Sequence, residues 1–144
     1  MSEAGADVIV YVCRNCIPAG ARVPRQWEQD GARVLVRELP CSGKTDAQYL
    51  LHAIEGGARG LCVIACPKGE CRLAQGNYRA EVRVRTLQRL LSEVGLEPGR
   101  VDLVHSSPDD PPDRFETLLH GAVQRACALG ASPIPAGWQA GDND

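Results

Sequence analysis

Five cysteines recur in three short clusters. Cys13 and Cys16 sit in Val12-Cys13-Arg14-Asn15-Cys16, Cys41 in Leu39-Pro40-Cys41-Ser42-Gly43-Lys44, and Cys66 and Cys71 in Cys66-Pro67-Lys68-Gly69-Glu70-Cys71. A thiolate is both a metal ligand and a nucleophile in disulfide exchange. Two cysteines separated by two residues can bind one metal centre, a spacing shared by zinc sites and thioredoxin-like redox motifs. An iron–sulfur cluster asks for four thiolates at fixed positions around its irons, and this pool supplies them with one to spare. Pro40, Gly43, Pro67 and Gly69 are residues that turn the chain and let backbone approach closely. Lys44, Lys68 and Arg72 lie in or beside the same loops, where their charge offsets that of a thiolate-bound cluster. Spacing by itself does not separate iron–sulfur from zinc.

The clusters acquire meaning from the elements that must carry them. Four short runs rich in valine, isoleucine and leucine, Val8–Val12, Val34–Leu39, Leu61–Ala65 and Val101–His105, read as strands. The first and third are nearly continuous in apolar residues, as parallel strands covered on both faces are. Helical patterns lie between them. Thr45-Asp46-Ala47-Gln48 is a capping box, followed by an apolar face of Ala47, Leu50, Leu51 and Ile54 that stops at Gly56-Gly57. A second helix is expected from Asn77 to Val94, with Val84, Leu87, Leu90, Leu91 and Val94 buried. A third starts near Pro111-Pro112-Asp113 and presents Phe115, Leu118, Leu119, Ala122, Val123 and Ala126 until Gly130. A short helix is expected around Val23–Asp30.

Strand–helix alternation predicts an α/β protein, a small flavodoxin-like three-layer sandwich around a four-stranded parallel sheet. Residues 1–130 form the metal-binding domain on this reading, and residues 131–144, small and proline-containing, a flexible tail. All five loop cysteines then fall at the carboxyl ends of three strands, the edge on which open α/β sheets hold ligands.

Composition narrows the function classes. The chain has 144 residues and seven cysteines, an odd count without a signal-peptide pattern, which argues against a secreted disulfide scaffold. A net charge of −2 argues against a general nucleic-acid binder, and no apolar run is long enough for a membrane span, so a cytoplasmic protein is expected. No serine–histidine–acid set, phosphate loop or paired carboxylates are legible. Cys62, inside a strand, and Cys127, inside a helix, read as small buried apolar residues. His105 ends the fourth strand on the ligand edge, but His52 and His120 lie on helices, so it reads as a neighbour of the site rather than a ligand. Arg79, Arg83, Arg85 and Arg89 spread over a helix whose other side is apolar, a solvated face or a docking stripe for an acidic partner.

In these loops the sequence resembles the delta, iron–sulfur, subunit family of methyl-viologen-reducing hydrogenase, associated with heterodisulfide reductase. The matching pieces are Cys13–Cys16 with Ala19-Gly20, Cys41-Ser42-Gly43-Lys44, Gly57-Ala58-Arg59-Gly60, Cys66–Cys71 and Gly76-Asn77, in order over about Asp7 to Gly130. Pro67 and Arg72 stand where the family commonly has histidine, and Asn15 where it has an aromatic residue. The resemblance implies one 2Fe-2S cluster, with Cys13, Cys16, Cys41, Cys66 and Cys71 as the pool that supplies its four thiolates. It also implies a relay without a substrate site of its own, passing electrons between a flavin-containing heterodisulfide-reductase-type subunit and a module such as hydrogenase or formate dehydrogenase. Two further readings stand beside it, a zinc-stabilised interaction domain and a metal-free dithiol oxidoreductase using Cys13 and Cys16.

Overall fold

The computed structural model of the chain describes residues 6–39, 47–65 and 76–130. Its strands are β1 (Val8–Cys13), β2 (Gln26–Gln29), β3 (Ala32–Leu39), β4 (Gly60–Ala65) and β5 (Val101–His105). Its helices are α1 (Ala47–Glu55), α2 (Gly76–Glu93) and α3 (Pro112–Ala128). The sheet order is β2-β3-β1-β4-β5, with β3, β1, β4 and β5 parallel and β2 antiparallel to β3.

Every residue of β1 and of β4 is buried, as their unbroken apolar sequence requires of central strands covered on both faces. Side chains alternate across the sheet. Ile9, Tyr11, Leu61 and Val63 face α1 and α2, where they meet Leu50, Ile54, Val84, Leu87 and Leu91. Val8, Val10, Val12, Cys62 and Ile64 face α3 and its Phe115, Leu119 and Val123. Helices thus cover both sides, which gives the three layers expected.

The sheet has five strands, not four, and the helix expected over Val23–Asp30 is instead the extra edge strand. Pro24 disfavours a helix there, and Gln26–Gln29 alternates between exposed and half-buried. Asp30 and Gly31, at φ 53° and 78°, make the tight two-residue turn that returns the chain into β3. Trp27 packs at a tilt against the ring of His120, with the ring centroids 5.3 Å apart, and the Gln29 amide donates to the His120 carbonyl, so this strand is fastened to α3.

Helix α2 departs from expectation at two residues. Leu90 and Val94 are 43% and 56% exposed. The buried stripe centres on Val84, Leu87 and Leu91, and one residue step of about 100° carries Leu90 off it. Val94 lies past the helix end, where Leu96 takes over the packing. On α3 the expected face is buried at Phe115, Leu119, Ala122, Val123 and Ala126, with Leu118 partly covered.

Three devices at the amino edge of the sheet hold the layers in place. Gly57, at φ 97°, lets the chain leave α1, and the Ala58 amide returns to the Ala53 carbonyl. Gly60 admits α3 against β4: a Cβ there would stand 2.8 Å from the Ala126 Cβ. Arg100, 2% exposed, donates to the carbonyls of Arg59, Leu129 and Gly130 and pairs with Glu97. It therefore ties the last turn of α3 to the entries of β4 and β5, where carbonyls at a helix end favour a cation.

Removing that buried guanidinium leaves three carbonyls without their donor. Arg100→Ala is expected to lower stability by about 2–4 kcal/mol in urea unfolding. Gly60→Ala is expected to cost about 1–3 kcal/mol by overpacking, with part recovered when it is combined with Ala126→Gly.

Candidate metal centre

Successive connections cover opposite faces of the sheet. The segment after β1 runs over the α3 face, where Ile17, Ala21, Val23 and Trp27 pack, whereas α1, which leads from β3 across to β4, covers the other face. The carboxyl end of β1 is therefore the switch point at which open α/β sheets leave a crevice. Cys13 is the last residue of β1, paired in register with Leu39 of β3. A single tight turn, Arg14–Cys16, follows, closed by the Ile17 amide on the Arg14 carbonyl. That turn folds Cys16 back beside Cys13, so the two thiols form a small buried cluster of their own, at 2% and 0% exposure. Neither is in a disulfide.

Cys41, Cys66 and Cys71 lie outside the described residues, as do Lys44, Lys68 and Arg72. In the sequence, Cys41 stands two positions after Leu39, the end of β3, and Cys66 directly after Ala65, the end of β4. Those two strands are the neighbours of β1 on either side. Among the described residues no three potential ligands gather at one point. His105 ends β5 and is exposed, while His120 is turned to Gln29 at the far edge of the sheet.

A residue that sequence reasoning passed over enters here. Ser106, 1% exposed, follows β5 and donates its hydroxyl proton to the Cys16 carbonyl at 3.1 Å. Within Ser106-Ser107-Pro108-Asp109-Asp110 it reads only as part of a turn. The usable signal was its position: a small polar residue directly behind a strand on the ligand edge.

The donor set fits a thiolate-bound group. Two thiols are clustered at a strand end, and burial disfavours their charged forms unless a cation neutralises them. A metal supplies that neutralisation and deprotonates its thiols outright. Such complete burial runs against the dithiol oxidoreductase reading, since a reactive cysteine needs partial exposure to meet its substrate.

The other two cysteines behave as structural groups. Cys62 is enclosed between β4 and α3, and burial pushes its thiol far above the ordinary range, with the Asp102 carboxylate adding to the shift. Burial also raises the Cys127 thiol, whose sulfur lies 3.7 Å from the Gln29 carbonyl. A raised folded-state pKa means that the unfolded chain releases its proton first, so stability falls as pH rises through the unfolded value of about 8.5. Cys62→Ala is expected to cost about 1–2 kcal/mol near neutral pH and to flatten the alkaline decline between about pH 8 and 10, read by urea unfolding across pH.

Comparison with known proteins places these features in context. The family profile of the methyl-viologen-reducing hydrogenase delta subunit matches residues 8–130. The vhu iron-sulfur subunit of the F420-non-reducing hydrogenase from Methanocaldococcus jannaschii is 37% identical over 105 residues, covering 73% of this chain and 78% of that one. Its namesake from Methanopyrus kandleri is 34% identical over 97 residues, covering 67% and 73%. A component of the ferredoxin:CoB-CoM heterodisulfide reductase from Methanosarcina mazei is 36% identical over 124 residues, which are 85% of this chain but 16% of that longer protein.

Proposed function

The chain belongs to the methyl-viologen-reducing hydrogenase delta subunit family, and from that premise we propose that it is an electron-transfer subunit carrying one 2Fe-2S cluster. Cys13, Cys16, Cys41, Cys66 and Cys71 are the pool from which four ligand thiolates come. The observation that carries this reading is the pair of buried thiols at the carboxyl end of the central strand. The remaining cysteines follow in sequence from the ends of its two neighbours. Bound there, the cluster would supply one-electron transfer at a point shielded from solvent. The described residues contribute the shielding: Cys13 and Cys16 are held in a dry wall of the sheet, and α1 and α2 begin toward the same edge, where their amino ends favour negative charge.

The relatives support the choice of partners. The iron-sulfur subunits named above belong to hydrogenases, and a stretch similar to this chain occurs within a much longer heterodisulfide reductase component. On our reading the chain relays electrons in the cytoplasm between a flavin-containing heterodisulfide-reductase-type subunit and a hydrogenase or formate dehydrogenase module. No described helix is long and apolar enough to cross a membrane. Helix α2 supplies a docking face for the flavin-containing partner. The large apolar side chains most exposed among the described residues, Val82, Leu90 and Val94, lie on it or at its end. Its range holds four arginines against two glutamates in a chain of net charge −2, which suits an acidic, partly apolar surface.

Anaerobically purified protein is expected to be brown, to contain about two irons and two sulfides per chain, and to bleach with dithionite. Serine at Cys16, Cys66 or Cys71 is expected to abolish the reduced-state EPR signal, and alanine at Cys62 or Cys127 to leave it. A colourless protein with stoichiometric zinc would establish the interaction-domain alternative instead. Val82→Ser combined with Arg89→Glu is expected to reduce co-purification of the flavoprotein at least several-fold while leaving iron content unchanged.

A further inference from the structure

The loop after β5 carries no cysteine, yet it holds two of the cysteine-bearing segments. The Ser106 hydroxyl donates to the Cys16 carbonyl at 3.1 Å, and the Ser106 amide donates to the Ala65 carbonyl at 2.9 Å. Ala65 is the residue directly before Cys66. One serine, 1% exposed, therefore joins the backbone of one candidate ligand to the backbone immediately ahead of another. The chain around Ser106 is itself fixed. The Ser107 amide donates to the Asp110 carboxylate at 3.1 Å, the Asp110 amide returns to the Ser107 carbonyl, and the Asp109 amide donates to the Ser107 hydroxyl. Farther along, the segment after Cys16 is held at the start of α3 by the Arg22 amide on the Glu116 carboxylate.

Resting on the metal-centre reading above, we infer that Ser106 is a positioning residue of that centre, setting the separation between its first and third cysteine segments. A cluster requires its thiolates at fixed positions. The three-residue turn that carries Cys16 is closed by the Ile17 amide on the Arg14 carbonyl at 3.5 Å, a long bond. A buried carbonyl must find a donor, and the Ser106 hydroxyl offers one only while Cys16 stays where it is. The same residue's amide extends the β4–β5 pairing by one step, so a shift of either segment is felt by the other.

The test compares the full-length holoprotein with Ser106→Ala and with Val123→Ala, a control that loosens the α3 core at a distance from the centre. Iron release to a chelator and the reduced-state EPR lineshape are read alongside the thermal midpoint. Ser106→Ala is expected to release iron about five-fold faster, the scale set by one lost hydrogen bond, with a broadened EPR signal. Val123→Ala is expected to keep the wild-type release rate and lineshape despite an equal or greater fall in thermal midpoint. Wild-type release and lineshape in Ser106→Ala would overturn the role of Ser106 and leave the centre standing. A wild-type chain that holds no iron would overturn the centre, and this role with it. Should Ser106→Ala fail to fold, Ser106→Thr against Ser106→Val, equal in shape and differing in the hydroxyl, decides the matter: slower release in the threonine variant supports the role, and equal rates overturn it.

Discussion

Two strands whose every side chain must be buried, β1 and β4, set the terms for the rest of the molecule. Neither can face water on either side, so cover is needed both above and below the sheet. The chain meets that need by sending its first connection and α3 over one face and α1 and α2 over the other. The first connection leaves β1 at Cys13 on the α3 face, whereas the next, leaving β3, takes the other. The carboxyl end of β1 thus lies beside the crevice that this layering opens.

The two ends of the sheet are divided between stability and chemistry. At the amino edge Arg100 gathers three carbonyls from two segments, and Gly60 allows α3 to approach the backbone of β4. These contacts are local, specific and demanding of shape. At the carboxyl edge the described contacts around Cys16 include a short turn and a serine hydroxyl. This is the edge toward which α1 and α2 begin, so that negative charge is favoured there by the backbone before any lysine or arginine contributes.

The margins of the sheet show a related economy. Among the described residues no strand lies beyond β5, yet the Val101 carbonyl accepts from the Gln88 side chain and the Leu103 amide donates to the Asp102 carboxylate, which also holds Arg125. β2, at the other margin, is only four residues long and pinned to α3 through Trp27 and Gln29. Both edges are thereby made poor templates for another strand. Exposed apolar surface is concentrated on α2 instead, which directs association to a helix face rather than to strand addition.

Much of this was legible in the residues themselves. Continuous apolar runs identify the central strands because burial on both faces leaves no place for a polar side chain, and the period of Phe115 to Ala126 identifies α3 for the corresponding reason on a helix. The cysteine spacing, with the motifs around it, identifies the family. Other features were decided by contacts between segments far apart in the chain. Gln26–Gln29 became a strand because β3 offered it a partner and Asp30-Gly31 a turn, although the Asp-Gly pair was itself a hairpin signal. Leu90 and Val94 were left exposed because the buried stripe of α2 is fixed by where β4 and β5 stand, not by the number of leucines available to it. Ser106 acquired its role only when β5 was placed beside β4, since a hydroxyl finds a carbonyl 90 residues away through the sheet and through nothing written near it in the sequence.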